Sequence, residues 1–195
     1  MDQIRPKTRR GQKRREQILR AAERVFGRLG YAEASISDIT REAETAQGTL
    51  YIYFSGKDEI FSELVREMGH LTRIALAGAV ADAPTRLEAE RRGLAAFLRF
   101  VADRPELYRI VEEARFVDPK AYEAYFSDFA RAYRANLDAA GQAGEIRTGD
   151  SEIRAWALMG MAKTLGERFV LWRRDVDIDT VVAEAFDLIE NGLRT

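Results

Sequence analysis

Apolar residues recur at helical spacing along almost the whole chain, and no run alternates between apolar and polar residues over the length of a strand. The spacing predicts about nine helices. They are expected over about 10–29, directly after Ser35, over 47–53, from near residue 55, and over 84–102, 105–115, 119–141, 151–173 and 178–192. The sequence therefore predicts an all-α protein.

Several helix ends carry their own local signals. Gly30 follows the first helix, where a left-handed residue commonly ends the helical conformation. Ser35 with Asp38, and Ser55 with Asp58, have the spacing of capping boxes, which start helices. Proline fits the first turn of a helix because its missing N–H would have no helical partner there. On that basis three later helices are expected to begin at Pro84, Pro105 and Pro119, the last of them with Asp118 as N-cap.

Composition excludes several kinds of site. The 195 residues include no cysteine and one histidine, so disulfides, thiolate metal sites and thiol nucleophiles are excluded, and His70 alone cannot build a multi-histidine metal site. The longest stretch without Asp, Glu, Lys or Arg covers residues 45–56, too short to cross a membrane. No secretory signal peptide is recognisable, and we expect a cytoplasmic protein without a cofactor.

The balanced net charge of −1 hides an asymmetry along the chain. Residues 1–57 contain 12 Lys and Arg against 7 Asp and Glu, a net charge of +5. Residues 58–195 contain 19 against 25, a net charge of −6. A basic head on an acidic body suggests that the head binds a polyanion, although a solvated basic tail on an ordinary protein is an equally open interpretation.

Two short helices separated by three or four residues and preceded by a longer helix are typical of a helix-turn-helix unit. The second short helix of such a unit enters the major groove, where base edges differ in their hydrogen-bonding groups. Here Leu50 and Phe54 are expected to anchor that helix. Its outward side is expected to present amide, hydroxyl, phenol and aliphatic groups, from Gln47, Thr49, Tyr51, Ile52 and Tyr53.

The segments AAERVFGRLGY, ASISDITREA and GTLYIYFSGKDEI, between Ile18 and Ile60, closely resemble the DNA-binding head of the TetR family of transcriptional regulators. The resemblance implies a DNA-binding domain over 1–55, with a basic arm over 1–14, and a ligand-binding and dimerisation domain over 56–195. It implies that base-facing positions are held by Ser37, Gln47, Gly48, Tyr51 and Ile52. It implies that phosphate-contacting positions are held by Thr49, Tyr53 and Lys57. For Tyr51, core packing is the alternative; for Tyr53 and Lys57, a plain surface role.

The sequence departs from the family pattern in the turn. The family usually has Gly, an apolar residue and Ser or Thr there, whereas this chain has Glu44-Thr45-Ala46. A glutamate that keeps the left-handed conformation costs about 1 kcal/mol relative to glycine. Ala46 cannot cap the recognition helix with its side chain, which leaves Thr45 as the candidate cap.

If the family pattern holds, the body pairs with a second copy through the last two helices, about 151–192, and the dimer binds a palindromic operator in double-stranded DNA. The last helix carries apolar residues over a broader surface than one buried stripe requires. They are Ile178, Val181, Val182, Ala185, Phe186, Leu188 and Ile189. Ala157 and Gly160 on the preceding helix would permit close approach.

Aromatic residues recur at helical spacing from Tyr122 to Tyr133, where they form either core or one wall of a pocket. A pocket for a small hydrophobic effector, such as the acyl chain of an acyl-coenzyme A, is predicted from Phe97, Phe100, Tyr125, Phe126, Phe129, Trp156, Met159 and Phe169. The phosphates of such an effector could be contacted by Arg115, Arg168, Arg173 and Arg174. The alternative is that these arginines are solvated or form ion pairs.

Two rival functions follow from the same residues. An enzyme is disfavoured, because Glu67 and His70 form only half of a bundle di-iron site and the chain has no second histidine. The SGKD segment at 55–58 lacks the first glycine and the Ser or Thr of a phosphate-binding loop. The remaining rival is a non-catalytic helical scaffold that uses its head for protein contacts. A scaffold predicts no salt-dependent affinity for DNA.

Overall fold

The computed structural model describes residues 8–172 and 175–193, and within these ranges all regular structure is helical. The helices are α1 (Arg9–Glu33), α2 (Ile36–Glu42), α3 (Gln47–Tyr53), α4 (Lys57–Val80), α5 (Arg86–Asp103), α6 (Pro105–Val117), α7 (Pro119–Gln142), α8 (Ser151–Leu165) and α9 (Ile178–Leu193). A π-helix over Gly166–Trp172, called the π segment below, continues α8. The prediction of an all-α protein of about nine helices is confirmed for the described residues.

Most helix ends follow the local signals. The Ser35 side chain accepts from the Asp38 N–H at 3.1 Å, and the Asp38 carboxylate accepts from the Ser35 N–H at 3.1 Å, so this capping box is confirmed. Gly30 has φ of 77°, which is the left-handed conformation that interrupts α1 near its end. Asp118 caps α7 by accepting from the Ala121 N–H at 3.1 Å. Helices α6 and α7 begin at their prolines, as expected.

Two local predictions are wrong. Helix α5 begins at Arg86 rather than at Pro84, because the Thr85 side chain accepts from the Glu88 N–H at 3.2 Å and serves as N-cap. Ser55 pairs with Glu59 rather than with Asp58. Its N–H and its hydroxyl both donate to Glu59 Oε2, at 2.6 and 2.7 Å. The helix expected over 151–173 changes from α to π winding at Gly166, and its predicted last residue lies outside the described residues.

The described residues up to Met68, together with Glu106–Glu123, form one packed unit. Its core joins apolar residues of α1, α2, α3, α4 and α6. An aromatic cluster lies within it, with the Phe61 ring 5.4 Å from that of Phe26 and 5.0 Å from that of Tyr31, both edge to face. The fully buried members of this core include Ile18, Val25, Ile39, Leu50, Ile60, Val65 and Val111.

Gly69–Pro105 and the described residues from Ala124 onward form a second packed unit. Helix α5 is its central element and contacts α8, α9 and the π segment. Leu98 and Val101 of α5 are fully buried, and Val170 of the π segment is 2% exposed. The predicted functional boundary between residues 55 and 56 is a different division from this one and stays a prediction.

Candidate nucleic-acid interface

The turn between α2 and α3 contains one residue in the left-handed conformation. Glu44 has φ of 48° and is exposed to solvent. The Thr45 N–H donates to the Thr40 carbonyl at 3.0 Å, and Gln17 of α1 donates from Nε2 to the Ala43 carbonyl at 2.8 Å. These bonds hold the turn in place although a glutamate stands where glycine would be unstrained.

The start of α3 has no side-chain cap. Its N-cap residue is Ala46, whose side chain accepts no hydrogen bond, and Thr45 does not replace it. The expectation that Thr45 might cap the helix is therefore wrong. The helix is held instead by its anchors, since Leu50 is fully buried and Phe54 is 2% exposed.

The outward face of α3 is mixed in chemistry. Gln47 and Gly48 are exposed, Tyr51 is 53% exposed and Ile52 is 64% exposed. Such exposure excludes core packing for Tyr51. Thr49 and Tyr53 are half-buried at the edges of this face. The helix thus presents an amide, a phenol and an aliphatic group to solvent, which are groups able to contact base edges and thymine methyls.

Ser37 of α2 lies beside the start of α3. The Gln47 side-chain Nε2 donates to Ser37 Oγ at 2.8 Å, across the turn. The family resemblance assigns both Ser37 on α2 and Gln47 on α3 to base-facing positions. These two residues therefore form one hydrogen-bonded pair. Sequence reasoning placed both residues at the interface but did not predict the bond between them.

Lys57 is bound inside the head. Its ammonium donates to the carbonyls of Tyr31 at 2.8 Å and Ala34 at 2.9 Å, and it lies 4.2 Å from the centroid of the Tyr31 ring. A cation at the carbonyl end of a helix stabilises the otherwise unpaired acceptors there. Sequence reasoning treated Lys57 as a phosphate contact or a plain surface residue and missed this structural role.

The Tyr31 side chain completes the junction between α1 and α4. Its hydroxyl donates to the Asp58 carboxylate, which explains why Asp58 does not cap α4. Burial and the bond to Asp58 together raise the pKa of Tyr31 to about 12. The hydrogen bonds from Ser55 lower the pKa of Glu59, which keeps that carboxylate charged near the start of α4.

Helix α6 contacts the end of α1 directly. Both oxygens of Glu113 accept from the Tyr31 backbone N–H, at 2.8 and 2.9 Å. Gly27 lies against Glu106, whose Cα would be 3.2 Å from any added Cβ. The glycine therefore permits an approach that a larger residue would block. Neither contact has a local sequence signal, since Glu113 and Tyr31 are 82 residues apart.

The described part of the basic arm forms a shallow, open groove of about 350 Å³ at the beginning of α1, lined by Arg9, Arg10, Lys13, Arg14 and Gln17. The Arg14 guanidinium donates to Gln17 Oε1 at 3.0 Å, so part of this groove is ordered by side-chain contacts. Residues 1–7 of the predicted arm lie outside the described residues. A groove of this charge suits a phosphate backbone.

The residues predicted to line an effector pocket all belong to the second unit. Seven of them are half-buried rather than fully buried: Phe97, Phe100, Tyr125, Phe126, Phe129, Met159 and Phe169. Tyr125 and Phe126 pack edge to face with centroids 4.9 Å apart. Trp156 is the exception, because it is 44% exposed on α8. The side chains of α7 that enter the core are smaller or aliphatic, namely Ala130, Leu137 and Ala140.

A buried polar cluster lies in the same unit. Glu90 is 4% exposed, the Tyr133 hydroxyl donates to it, and Arg86 Nε lies 2.9 Å from its Oε1. Burial raises the pKa of Glu90 despite the neighbouring guanidinium. Of the arginines considered for phosphate contacts, Arg168 forms an ion pair with Asp175 at 3.1 Å, and Arg173 and Arg174 lie outside the described residues.

Large apolar side chains remain exposed on the last helices. Ile153 and Trp156 of α8 are 68% and 44% exposed, and Leu188 of α9 is 68% exposed. The broad apolar surface predicted for α9 is largely buried within the chain itself, since Val181, Val182, Ala185 and Ile189 pack inward. Ala157 and Gly160 of α8 are exposed, as close approach of a second helix would require.

Three comparisons agree with this architecture. The family model described as bacterial regulatory proteins of the tetR family matches residues 18–64. The HTH-type transcriptional regulator YdgC of Bacillus subtilis is 28% identical over 189 residues, which cover 94% of each protein. The crystal structure of FadR from Bacillus subtilis with stearoyl-CoA has a TM-score of 0.79 at 20% identity, and covers 89% of this chain and 96% of that one.

A second solved structure, AibR in complex with isovaleryl coenzyme A and operator DNA, has a TM-score of 0.74 at 18% identity and covers 90% of this chain and 97% of that one. The head and its matches define a helix-turn-helix transcriptional regulator. The match over residues 18–64 and the similarity to these regulators support a regulator of the TetR type. Among the described residues, the hydropathy of each helix falls short of what crossing a membrane requires.

Proposed function

We propose that the chain is a dimeric transcriptional repressor, which binds a palindromic operator and is released by a small hydrophobic effector. The observation that carries the proposal is the face of α3, where Gln47, Tyr51 and Ile52 are exposed while Leu50 is fully buried. An exposed mixture of amide, phenol and aliphatic groups on a short, firmly anchored helix suits direct reading of the major groove.

The proposed roles divide into reading and positioning. Ser37, Gln47, Gly48, Tyr51 and Ile52 face base edges. Thr49, Tyr53, Lys57 and the basic groove of α1 contact phosphates. Lys57 also binds the carbonyls of Tyr31 and Ala34, so it acts partly by holding the end of α1 beside the DNA backbone.

The proposed dimer forms through α8 and α9. Its support is the exposure of Ile153, Trp156 and Leu188, since apolar and aromatic side chains of this size anchor protein interfaces. Two-fold symmetry would place two copies of α3 about 34–36 Å apart, one turn of duplex, or a multiple of that distance. A palindromic operator follows from that symmetry.

The proposed effector is an acyl-coenzyme A. It is supported by half-buried rings on α5, α7 and the π segment, and by the similarity to FadR and AibR, whose structures are complexes with stearoyl-CoA and isovaleryl coenzyme A. The effector would release DNA only to the extent that it binds the DNA-free conformation more tightly.

Fluorescence anisotropy with the upstream region of the protein's own gene tests DNA binding, with scrambled duplex as competitor and salt as a variable. We expect specific binding that weakens steeply as salt rises. Tyr51→Ala should weaken it by roughly tenfold, because a lost base contact costs about 1–3 kcal/mol. Ile74→Ala is the matched control, because Ile74 is 56% exposed on α4, and it should leave affinity unchanged.

Lys57→Ala is not a suitable probe, because it would also remove the bonds to the helix carbonyls. Failure to enrich any sequence in a genome-wide duplex selection would contradict the repressor proposal and favour the scaffold. Adding acyl-CoA compounds of graded chain length to the protein–DNA complex then tests the effector, with free coenzyme A and free fatty acid as controls. Release by the free compounds alone would contradict an acyl-CoA effector.

A further inference from the structure

Gln17 of α1 joins the basic groove to the turn that precedes α3. Its Nε2 donates to the Ala43 carbonyl at 2.8 Å, across 26 residues, and its Oε1 accepts from the Arg14 guanidinium at 3.0 Å. Arg14 and Gln17 both line the groove at the beginning of α1. One half-buried side chain therefore connects the groove to the turn between α2 and α3.

The two partners of Gln17 fix the orientation of its amide. A backbone carbonyl can only accept a hydrogen bond, and a guanidinium can only donate one. The NH₂ group must therefore face Ala43 while the oxygen faces Arg14, because the reversed amide would set acceptor against acceptor and donor against donor. Loss of Arg14 would remove one of the two bonds that keep the amide turned toward the carbonyl.

The bonded carbonyl belongs to the peptide unit that sets the conformation of Glu44. Rotation of this planar unit changes ψ of Ala43 and φ of Glu44 together. Glu44 has φ of 48°, a left-handed conformation that is costly for a residue other than glycine and persists only where the surrounding structure fixes it. A reversed peptide unit would relieve this strain, but it would turn the Ala43 carbonyl away from Gln17.

The conformation of this turn also directs the chain into α3. The helix begins at Gln47, three residues after Glu44, and Ala46 gives it no side-chain cap. The backbone of the turn and the buried anchors of α3 are therefore what position the exposed face of the helix. A change at Glu44 would shift Gln47 and Tyr51 relative to anything that α1 binds.

We propose that Gln17 is a positioning residue, which couples phosphate contact by Arg14 to base reading by α3. A guanidinium has five N–H donors, so Arg14 can bind a phosphate and Gln17 at the same time. The phosphate then fixes Arg14, Arg14 fixes the amide, and the amide fixes the turn. The inference rests on the proposed function, because it assumes that the groove of α1 contacts the DNA backbone while α3 enters the major groove.

The test compares two duplexes bound by the full-length chain. The first is the operator that the unaltered protein enriches from a randomised library. The second carries symmetric changes at the base pairs whose preference disappears in Tyr51→Ala. The ratio of the two affinities, measured by anisotropy, reports base reading and does not depend on the fraction of protein that is folded. We expect a ratio of at least about tenfold for the unaltered chain.

Gln17→Met keeps an unbranched side chain of similar length without the amide, and it should lower this ratio by about fivefold, the effect of one net hydrogen bond. Arg14→Ala should lower it by about two- to threefold. The double variant should match Gln17→Met, because Arg14 acts on α3 through Gln17. Arg10→Ala is the matched control. Arg10 lines the same groove outside the bonded series, so its loss should weaken binding to both duplexes equally.

Glu44→Gly should rescue the loss at Gln17. Glycine adopts the left-handed conformation without strain, so the turn no longer depends on the bond to the Ala43 carbonyl. In this background Gln17→Met should lower the ratio by less than about twofold. A purely structural role of Gln17 would lower thermal stability, but it would not make base reading depend on Arg14.

Three results would overturn the inference alone. They are an unchanged ratio in Arg14→Ala, an equal fall of the ratio in Arg14→Ala and Arg10→Ala, and a loss in Gln17→Met that persists beside Glu44→Gly. In each case specific binding by the unaltered chain would leave the repressor proposal standing. Absence of any specific binding by the unaltered chain would instead overturn the proposed function and this inference with it.

Discussion

The head and the last helices both expose large apolar side chains, but in different chemical settings. On α3, Tyr51 and Ile52 stand beside the amide of Gln47. On α8, the exposed Ile153 and Trp156 are three residues apart and lie on one face of the helix, with the exposed Ala157 beside them in the sequence. An apolar group among hydrogen-bonding groups suits a base edge, whereas a patch of larger apolar groups suits another protein surface. Exposure alone therefore does not distinguish the two kinds of interface.

The head and the second unit also hold carboxylates in different environments. At the starts of α2 and α4 the hydrogen bonds from Ser35 lower the pKa of Asp38, and those from Ser55 lower the pKa of Glu59. In the second unit Glu90 is buried, and burial raises its pKa despite Arg86. Asp38 and Glu59 thus stay charged through their hydrogen bonds, whereas Glu90 lies where the charged form is disfavoured.

The largest expected effect concerns the apolar patch. Replacing Ile153 and Trp156 together by Asp should place charges in the proposed dimer interface and raise the dimer dissociation constant by at least about 30-fold. Sedimentation velocity over a range of concentrations measures this change. The control is Phe116→Asp, since Phe116 is 83% exposed on α6. A dimer that survives the double substitution would show that this patch has another use.

The next effect tests how tightly the head is packed. Gly27→Ala would push a methyl group into Glu106, and overpacking of this kind costs about 1–3 kcal/mol of unfolding free energy. Gly78→Ala is the matched control, because nothing lies within 4 Å of its added Cβ, and it should gain about 0.5–1 kcal/mol from helix propensity. Urea unfolding measures both. Similar changes in the two variants would refute the close contact.

A smaller effect is expected at the turn. Glu44→Gly removes the left-handed strain at φ of 48° and should stabilise the chain by about 1 kcal/mol. Glu44→Ala removes the charge but keeps the strain, so it should not stabilise. If both variants bind DNA more tightly, the charge of Glu44 opposes the phosphates. Thermal unfolding and anisotropy separate the two contributions, and equal stabilisation by both variants would argue against strain.

The smallest effect distinguishes the two kinds of carboxylate by pH. Because the folded pKa of Glu90 is raised above 4.5, its contribution to stability is present below that pH and is lost as the pH rises through the folded pKa. Glu59 has a lowered pKa, so its contribution is present above 4.5 and is lost as the pH falls. The stability of the unaltered chain relative to Glu90→Gln should therefore decrease from pH 4 to pH 7.

The stability of the unaltered chain relative to Glu59→Gln should increase from pH 4 to pH 7. Chemical denaturation of the three proteins at several pH values measures both differences. Parallel curves for the two variants would contradict the contrast between a buried carboxylate and a hydrogen-bonded surface carboxylate.

Local patterns predicted the helices and the exposed face of α3, because apolar spacing and short-range caps depend on near neighbours. Local patterns were less accurate where two neighbouring residues could both bind the same capping residue. Ser55 has acidic residues at both the third and the fourth following positions, and the structure uses Glu59 because Asp58 binds the Tyr31 hydroxyl. Spacing alone does not choose between them.

Contacts between distant segments were not predictable from one sequence. Lys57 binds carbonyls 26 and 23 residues away, and Glu113 binds an N–H 82 residues away. The apolar pattern of α9 indicated a broad contact surface correctly, but α5 of the same chain takes up much of it. Periodicity shows that a face is buried without showing which partner buries it.

The way Lys57 is held has a consequence for its chemistry. An amine reagent or an acetyl donor must meet a free nitrogen lone pair, but this ammonium is directed at two backbone carbonyls and lies against the Tyr31 ring. Lys13 of α1, by contrast, is exposed to solvent. The ratio of the acylation rates of Lys57 and Lys13 therefore reports how often the end of α1 separates from α4.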